Sequence, residues 1–441
     1  MSPLTVLTDD DICRLLRTFE QDDIISLHNV LADALHTYST GTQDDCACAD
    51  NQPERTVVSS QDGSTTLFMP SRTQDATGVK VVTVGGGNPP EDATSITSSD
   101  FSKASITSSS PSNTPSSSAS TLVNTSSSAS APTPSLPASV PPKIQGSLTL
   151  LDRTGAPTGF LNASELTAFR TALGATMILR RRAHVSHILV FGAGKQAYWH
   201  IRLALLLRGS DIKHIHIINR SFATAEPLLQ SFYCPSGSSS TTPPYLLHNS
   251  QLSILTPSHS EYSRLLKEAV RKSDIIFCCT PATSPLFPAQ HLTSTEGRKK
   301  GRYISAIGSY KPHMCELAPE ILRQAVAAPH HHHHHKHAST AGVVIVDSLT
   351  GCLKEAGEII QAGLTAEQLV EIGELVMLRR QVQEQAGKTE QGGKDDGLIE
   401  WLRNGNVIYK SVGLGLMDLT VGGELLKMAG ERGIGTRVEA F

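Results

Sequence analysis

Residues His187–Leu207, HILVFGAGKQAYWHIRLALLL, constrain the fold more than any other stretch of the chain. A short apolar run, the pattern of a buried strand, enters Gly192-Ala193-Gly194-Lys195-Gln196-Ala197, and an amphipathic helical pattern starts at once. G-x-G-x-x-A between a strand and a helix is the fingerprint of a dinucleotide-binding turn. Gly192 makes the tight turn, Gly194 lets the backbone approach a pyrophosphate, and Ala197 lets the helix pack close to the strand. The helix N-terminus then offers N–H groups and partial positive charge to phosphates. Gly192, Ala193, Gly194, Gln196 and Ala197 are therefore candidate cofactor contacts.

After Ala183 the chain alternates strand-like and helix-like segments. Strands are predicted at Ile188–Phe191, Ile215–Ile218, Ile275–Cys279, Tyr303–Ile307, Val343–Val346 and Val407–Tyr409. Each is a short, nearly continuous apolar run, as in parallel strands covered on both faces. Helical patterns such as Lys195–Leu207 and Ala356–Gly363 lie between them. The expected fold class is α/β, a Rossmann-type doubly wound parallel sheet. Before Ala183 the pattern is α+β: a helical pair at Asp9–Glu20 and Ile24–Thr37, then strands with turns.

Two strand-like pieces, Gly78–Val84 (GVKVVTV) and Ser147–Leu151 (SLTLL), flank the tract Thr94–Val140, in which 26 of 47 residues are Ser or Thr. That composition cannot bury enough apolar surface to offset chain entropy, so the tract reads as a disordered insert in an overgrown hairpin loop. Loop-closure cost grows only logarithmically with length, which makes such an insert tolerable. Cys234–Pro244, Val326–Thr340 and Gln385–Gly397 have the same low-complexity character. The run His330–His335 reads as part of such an insert, since metal sites need defined geometry rather than repetition, and no metal is expected. The predicted organisation is residues 1–170 with 411–441 as one domain and 171–410 as the dinucleotide domain.

Lys and Arg number 38 against 41 Asp and Glu, a net charge of -3 with no basic stripe. Nucleic-acid and membrane-surface binding both need concentrated positive charge, so neither partner is expected. No window approaches 18 uninterrupted apolar residues, and the N-terminus lacks a basic region followed by an apolar one. The eight cysteines, with Cys278 and Cys279 adjacent in an apolar run and Cys13, Cys234, Cys315 and Cys352 scattered, suit free thiols of a reducing cytosol better than a disulfide framework, and Cys46-x-Cys48 has no second pair at zinc-site spacing. The expected location is cytoplasmic.

The second strand of the α/β part ends Ile217-Ile218-Asn219-Arg220-Ser221, about 20 residues beyond the glycine turn, where NAD-binding folds place an acid on the ribose 2′-hydroxyl. Asn219 removes that charge and Arg220 adds a guanidinium able to grip a 2′-phosphate. NADP(H) is expected over NAD(H), with Asn219, Arg220 and Ser221 as contacts.

Several further segments share one pattern: Gln52-Pro53-Glu54-Arg55, Leu67-Phe68-Met69-Pro70, Val79–Val84, Leu166–Ala172 around Arg170, the VFGAGKQA run, Asp274–Pro281, Ala306-Ile307-Gly308, Val346-Asp347-Ser348, Glu355-Ala356-Gly357-Glu358 and Tyr409-Lys410-Ser411-Val412-Gly413. Together they resemble the ornithine cyclodeaminase/mu-crystallin family over nearly the whole chain apart from the inserts. The resemblance implies that Arg55, Lys80 and Arg170 line a substrate pocket beside the nicotinamide, with Lys80 as catalytic acid or base. It implies that Thr280 and Ser411-Val412-Gly413 contact the cofactor. The first domain would bind substrate and form a homodimer.

The residue types suit that chemistry. Arginines can fork onto the carboxylate of an amino or imino acid. Lys80 shares a strand face with Val82 and Val84, and an ammonium on an apolar face needs a partner or a task. The expected partner is the substrate carboxylate or the proton of an imine nitrogen. Cyclodeaminases of the family carry an Asp where this chain has Tyr310 and a Glu where it has Leu67, so a side-chain amine would lack a charged partner. The implied activity is NAD(P)H-dependent reduction of a ketimine or imine of an α-amino acid, or the reverse oxidation. The alternatives are ornithine cyclodeamination to proline and ammonia with recycled NAD⁺, and NADPH-dependent small-molecule binding without turnover.

Overall fold

The computed structural model describes residues 3–40, 52–61, 64–85, 144–233, 247, 249–327, 342–376 and 395–439. The Ser/Thr-rich tract Thr94–Val140, the insert Cys234–Pro244, the histidine run, all but the last residues of Gln385–Gly397, and Cys46 and Cys48 lie outside them.

The chain builds two sheets. The first contains β1 (Leu4–Leu7), β2 (Thr56–Ser59), β3 (Thr65–Arg72), β4 (Thr77–Val84), β5 (Ile144–Leu151), β6 (Pro157–Asn162) and β15 (Thr436–Val438), in the order β15-β1-β6-β5-β4-β3-β2. All of its pairs are antiparallel except β1 with β6. The second contains β7 (His187–Phe191), β8 (His214–Ile218), β9 (Gln251–Leu255), β10 (Ile275–Cys278), β11 (Tyr303–Ala306), β12 (Val344–Val346), β13 (Leu369–Glu371) and β14 (Val407–Lys410), in the order β13-β12-β14-β11-β10-β7-β8-β9. Every pair in this sheet is parallel. The Rossmann-type sheet and the second, mixed layer expected from the sequence are both present.

In the parallel sheet the chain lays β8 and β9 on one side of β7, then returns to place β10 and β11 on the other. The carboxyl ends of β7 and β10 thus flank the topological switch point, where open α/β sheets bind their ligands. The interior of β7, β10 and β11 is fully buried, as the continuous apolar runs require.

Three helices cover the first sheet, α1 (Asp9–Arg17), α3 (Ala163–Leu179) and the C-terminal helix Gly415–Glu431, and α2 (Gln21–Thr40) packs on the last two. Thr8 starts α1 with a reciprocal capping box to Asp11, and Asn162 caps α3 through the backbone N–H of Ser164. α3 is buried on nearly all sides and runs unbroken through Arg170 and Thr171, so the domain boundary expected there falls inside a continuous helix. It packs on α4 (Lys195–Arg208), the helix of the glycine turn. Phe169 meets Trp199 edge-on at 5.2 Å, and the Trp199 indole donates to Glu165 at 2.6 Å. The C-terminal helix lies across β3, β4 and β5 and against α2 and α3. Among the described residues no helix is long and apolar enough to cross a membrane, and the five described cysteines are unpaired.

The β4–β5 ladder runs unbroken from Thr77 opposite Leu151 to Val84 opposite Ile144. The strand ends on either side of the Ser/Thr-rich tract are therefore adjacent. Replacing Thr94–Val140 by a short Gly/Asn turn is expected to leave the melting temperature within a few degrees, because loop length enters closure entropy only logarithmically. Loss of soluble protein on that replacement would overturn the expectation.

Candidate active site

The turn after β7 has the geometry its sequence promises. Gly192 adopts φ 100°, and a Cβ there would stand 2.9 Å from the carbonyl oxygen of Cys279, so only glycine fits. Its N–H donates to the Ile218 carbonyl, tying the ends of β7 and β8 together. Gly194 is the N-cap of α4 and has open space where a side chain would stand. Ala197 is fully buried. Gln196 keeps its Oε1 buried without a partner among the described residues, an acceptor available to a bound group. Unfilled N–H groups at a helix start and the glycine cradle fit a dinucleotide pyrophosphate, whereas the Gln196 acceptor suits a donor such as a ribose hydroxyl. Lys195 faces the other way, onto Asp9 at 2.9 Å and Glu165 at 2.6 Å.

At the end of β8, Asn219 spends its amide on the Ser221 carbonyl and the Thr224 hydroxyl, shaping the turn. Arg220 is exposed and makes no ion pair with a described residue. At the end of β10, the Thr280 N–H and hydroxyl both go to the buried Glu316.

Lys80 is where strand alternation places it: buried on β4 beside Val82, with Met69 opposite Lys80 and Leu67 opposite Val82 on the same face. Its partner was not expected. Lys80 Nζ donates to Asp418 Oδ1 at 2.9 Å, and Arg170 Nε donates to the same oxygen at 3.0 Å. Asp418, on the C-terminal helix, is fully buried, and its Oδ2 has no donor among the described residues. Burial pushes the Lys80 ammonium down to about 8, Asp418 opposes that, and Arg170 and Arg55 add to it. The three cations singled out from the sequence thus act on one another.

Ser411-Val412-Gly413, after β14, forms the turn between them. Asp347, fully buried after β12, accepts from the Ser411 hydroxyl at 2.6 Å, the Val412 N–H at 3.2 Å and the Gly413 N–H at 2.8 Å. Gly413 adopts φ 94° beside Arg170, whose guanidinium lies 3.1 Å from where a Cβ would be. On the other side Arg55 reaches the Val412 carbonyl at 3.5 Å and grips Glu355 through two nitrogens, one at 2.8 Å. The adjacent Glu54 pairs with Lys354. Tyr310 is half-buried and feels the Arg55 charge.

Asp418 and Glu316 are carboxylates of the site that sequence reasoning did not name, while Asp347 and Glu355 were named only within segments that carry the resemblance, without a role. Asp418 had a readable signal, an isolated acid within the apolar run LGLMDLTV. A cleft of about 110 Å³ opens beside Arg55, Met69, Ser348 and Gly413. A larger cavity, about 570 Å³, lies at the far end of α3 among His28, Met177 and Leu402, and none of the residues singled out from the sequence lines it. Among the described residues no group of three or more His, Cys, Asp or Glu could hold a metal ion.

No family model matches the chain. An uncharacterized protein of Saccharomyces cerevisiae is 30% identical over 306 residues, covering 64% of this chain and 74% of that protein. A Delta(1)-pyrroline-2-carboxylate reductase of Bacillus cereus is 27% identical over 308 residues, 67% of this chain and 74% of its own. The ketimine reductase mu-crystallin of Macropus fuliginosus is 26% identical over 243 residues, 54% and 61% of the two chains. The chain belongs to the ornithine cyclodeaminase/mu-crystallin family. Solved structures of the family agree in fold. Delta(1)-pyrroline-2-carboxylate reductase of Thermococcus litoralis, in complex with NADH and L-proline, superposes with TM-score 0.61 at 19% identity, covering 98% of this chain and all of that one. A probable ornithine cyclodeaminase from Bordetella pertussis superposes with TM-score 0.58 at 19% identity, covering 98% and 99%.

Proposed function

We propose that this chain is an NAD(P)H-dependent reductase of a ketimine or cyclic imine of an α-amino acid, able to run in reverse as an amino-acid oxidation. The observation that carries the reading is that Arg55 and Arg170 flank the Ser411–Gly413 turn while Lys80 shares Asp418 Oδ1 with Arg170, in a fold whose glycine turn suits a dinucleotide. Two relatives named as imine reductases support it. A bound reduced nicotinamide supplies the hydride. The chain's own residues do the rest: Arg55 and Arg170 hold the substrate carboxylate, and Lys80 delivers a proton to the nitrogen. Leu67 and Tyr310 leave a side-chain amine without a carboxylate at the two positions that cyclodeaminases use, which favours reduction over cyclodeamination. Assay of cyclic imino acids by nicotinamide absorbance, beside ammonia release from ornithine, tests this reading; ammonia release without net cofactor change would overturn it.

In the same reading the cofactor is NADP(H). Arg220 is exposed and uncommitted at the end of β8, and Asn219 is fixed in the turn, so no acid repels a 2′-phosphate. Arg220→Ala is expected to raise the KM for NADPH about 30-fold, on the order of 2 kcal/mol for a charged two-pronged contact, with little effect on NADH. Equal effects on both cofactors would overturn the preference. The outer face of the first sheet, with Phe68 and Phe160 each more than a third exposed, suits a second copy of the chain, and a homodimer is part of the proposal.

A further inference from the structure

Glu316 stands in the segment between β11 and the helix Pro319–Val326 and is fully buried. Its carboxylate spans two turns. Oε1 accepts from the Thr280 N–H at 2.7 Å and from the Thr280 hydroxyl at 3.2 Å, and Oε2 accepts from the Gly308 N–H at 2.7 Å. Those turns follow β10 and β11, the neighbouring strands on one side of the switch point. They also touch directly: a Cβ on Gly308 would lie 1.9 Å from the Thr280 carbonyl oxygen. On the other side, the Cys279 carbonyl closes over Gly192 of the glycine turn.

A second layer fixes Glu316 itself. Its backbone N–H donates to Glu358 at 2.8 Å, and Glu358 also accepts from the Ser309 hydroxyl. Lys410 Nζ, at the end of β14, donates to Ser309 Oγ at 2.5 Å and lies 3.4 Å from Glu358. The ends of three parallel strands are thus joined by one buried polar network whose central acceptor is Glu316. A buried carboxylate is costly unless donors surround it, and here all three donors belong to the backbone and side chain that wall the cofactor crevice.

We propose that Glu316 is a positioning residue for the dinucleotide site, bracketing the turns after β10 and β11 so that Thr280 and the Cys279 carbonyl hold the wall opposite the glycine turn. The inference deepens the reductase reading and rests on its dinucleotide site. Glu316 is too deeply buried to touch substrate, so it sets cofactor affinity and leaves proton transfer to Lys80.

The test is direct titration of NADPH fluorescence on the full chain, without turnover, beside steady-state kinetics. Glu316→Gln keeps the shape but points an N–H₂ at a backbone N–H, leaving one donor unpaired. It is expected to weaken NADPH binding about tenfold or more, to change the KM for the imine less than threefold, and to raise amide exchange at Thr280 and Gly308. If that variant fails to fold, Glu316→Asp, one methylene shorter and able to hold only one turn, must show the same split. Unchanged NADPH affinity in a folded variant, or equal loss for cofactor and imine, would overturn the inference. Wild-type protein that binds no dinucleotide would overturn both readings. Binding without turnover of any imine would overturn only the reductase reading.

Discussion

Lys80→Met is expected to lower kcat by on the order of 10²–10⁴, the range for a positioned acid–base group, with NADPH affinity nearly unchanged. The structure makes this a clean experiment. Asp418 keeps Arg170 as its partner when the ammonium is removed, so no buried carboxylate is left unpaired. Methionine also retains the length of the apolar stem between Val82 and Met69. The same lysine sets the pH profile. Its ammonium is held down to about 8, chiefly by burial, so the donor form is full below that value and is lost as the pH rises through it. In the reductive direction kcat should therefore fall on an alkaline limb near 8, and Lys80→Met should lack that limb. Near-normal turnover in a folded variant would make Lys80 a bystander.

Asp418→Asn is expected to cost about 3–5 kcal/mol of stability, the largest effect of any single substitution considered for this chain. One oxygen, Oδ1, serves both Lys80 and Arg170, and all three side chains are at most 5% exposed. An amide of the same shape removes the charge that two buried cations share. Lys80 would then be pushed toward its neutral form, and the Gly413 turn would lose the fixed guanidinium beside it. The first transition in urea unfolding measures the loss. A midpoint equal to wild type would show that the two cations find other partners. Combining Asp418→Asn with Lys80→Met should recover part of the stability, since one of the two stranded charges is then gone.

The sequence made some of these features legible and hid others, for physical reasons. The six interior strands of the parallel sheet announce themselves because burial on both faces demands continuous apolar runs. β9 and β13, at the two edges, do not. Gln251–Leu255 has two exposed positions, and Leu369–Glu371 is three residues long. The glycine turn was legible because a positive φ and a close carbonyl leave no other residue type there. The domain boundary expected at Arg170 falls inside α3 because a helix buried on nearly all sides shows no polar stripe to mark its course. Lys80 was legible as an anomaly, a charge among valines, but its partner was not, because Asp418 lies 338 residues away. Asp347 and Glu316 act on backbone N–H groups, which carry no side-chain signature in the sequence at all.

The crossing of the chain between its sheets has a consequence for biosynthesis. β1 to β6 are made first, yet their core is sealed by Gly415–Glu431 and their edge by Thr436–Val438, while every strand of the parallel sheet is encoded in between. On the ribosome the nested nucleotide-binding sheet has all its strands once residue 410 has emerged. The earlier segment must wait, with Lys80 lacking Asp418 and the part of β3, β4 and β5 that lies under the C-terminal helix uncovered. The nascent chain thus spends the whole translation of residues 187–410 with that surface exposed, an interval in which chaperone binding or a pause in elongation would decide its yield.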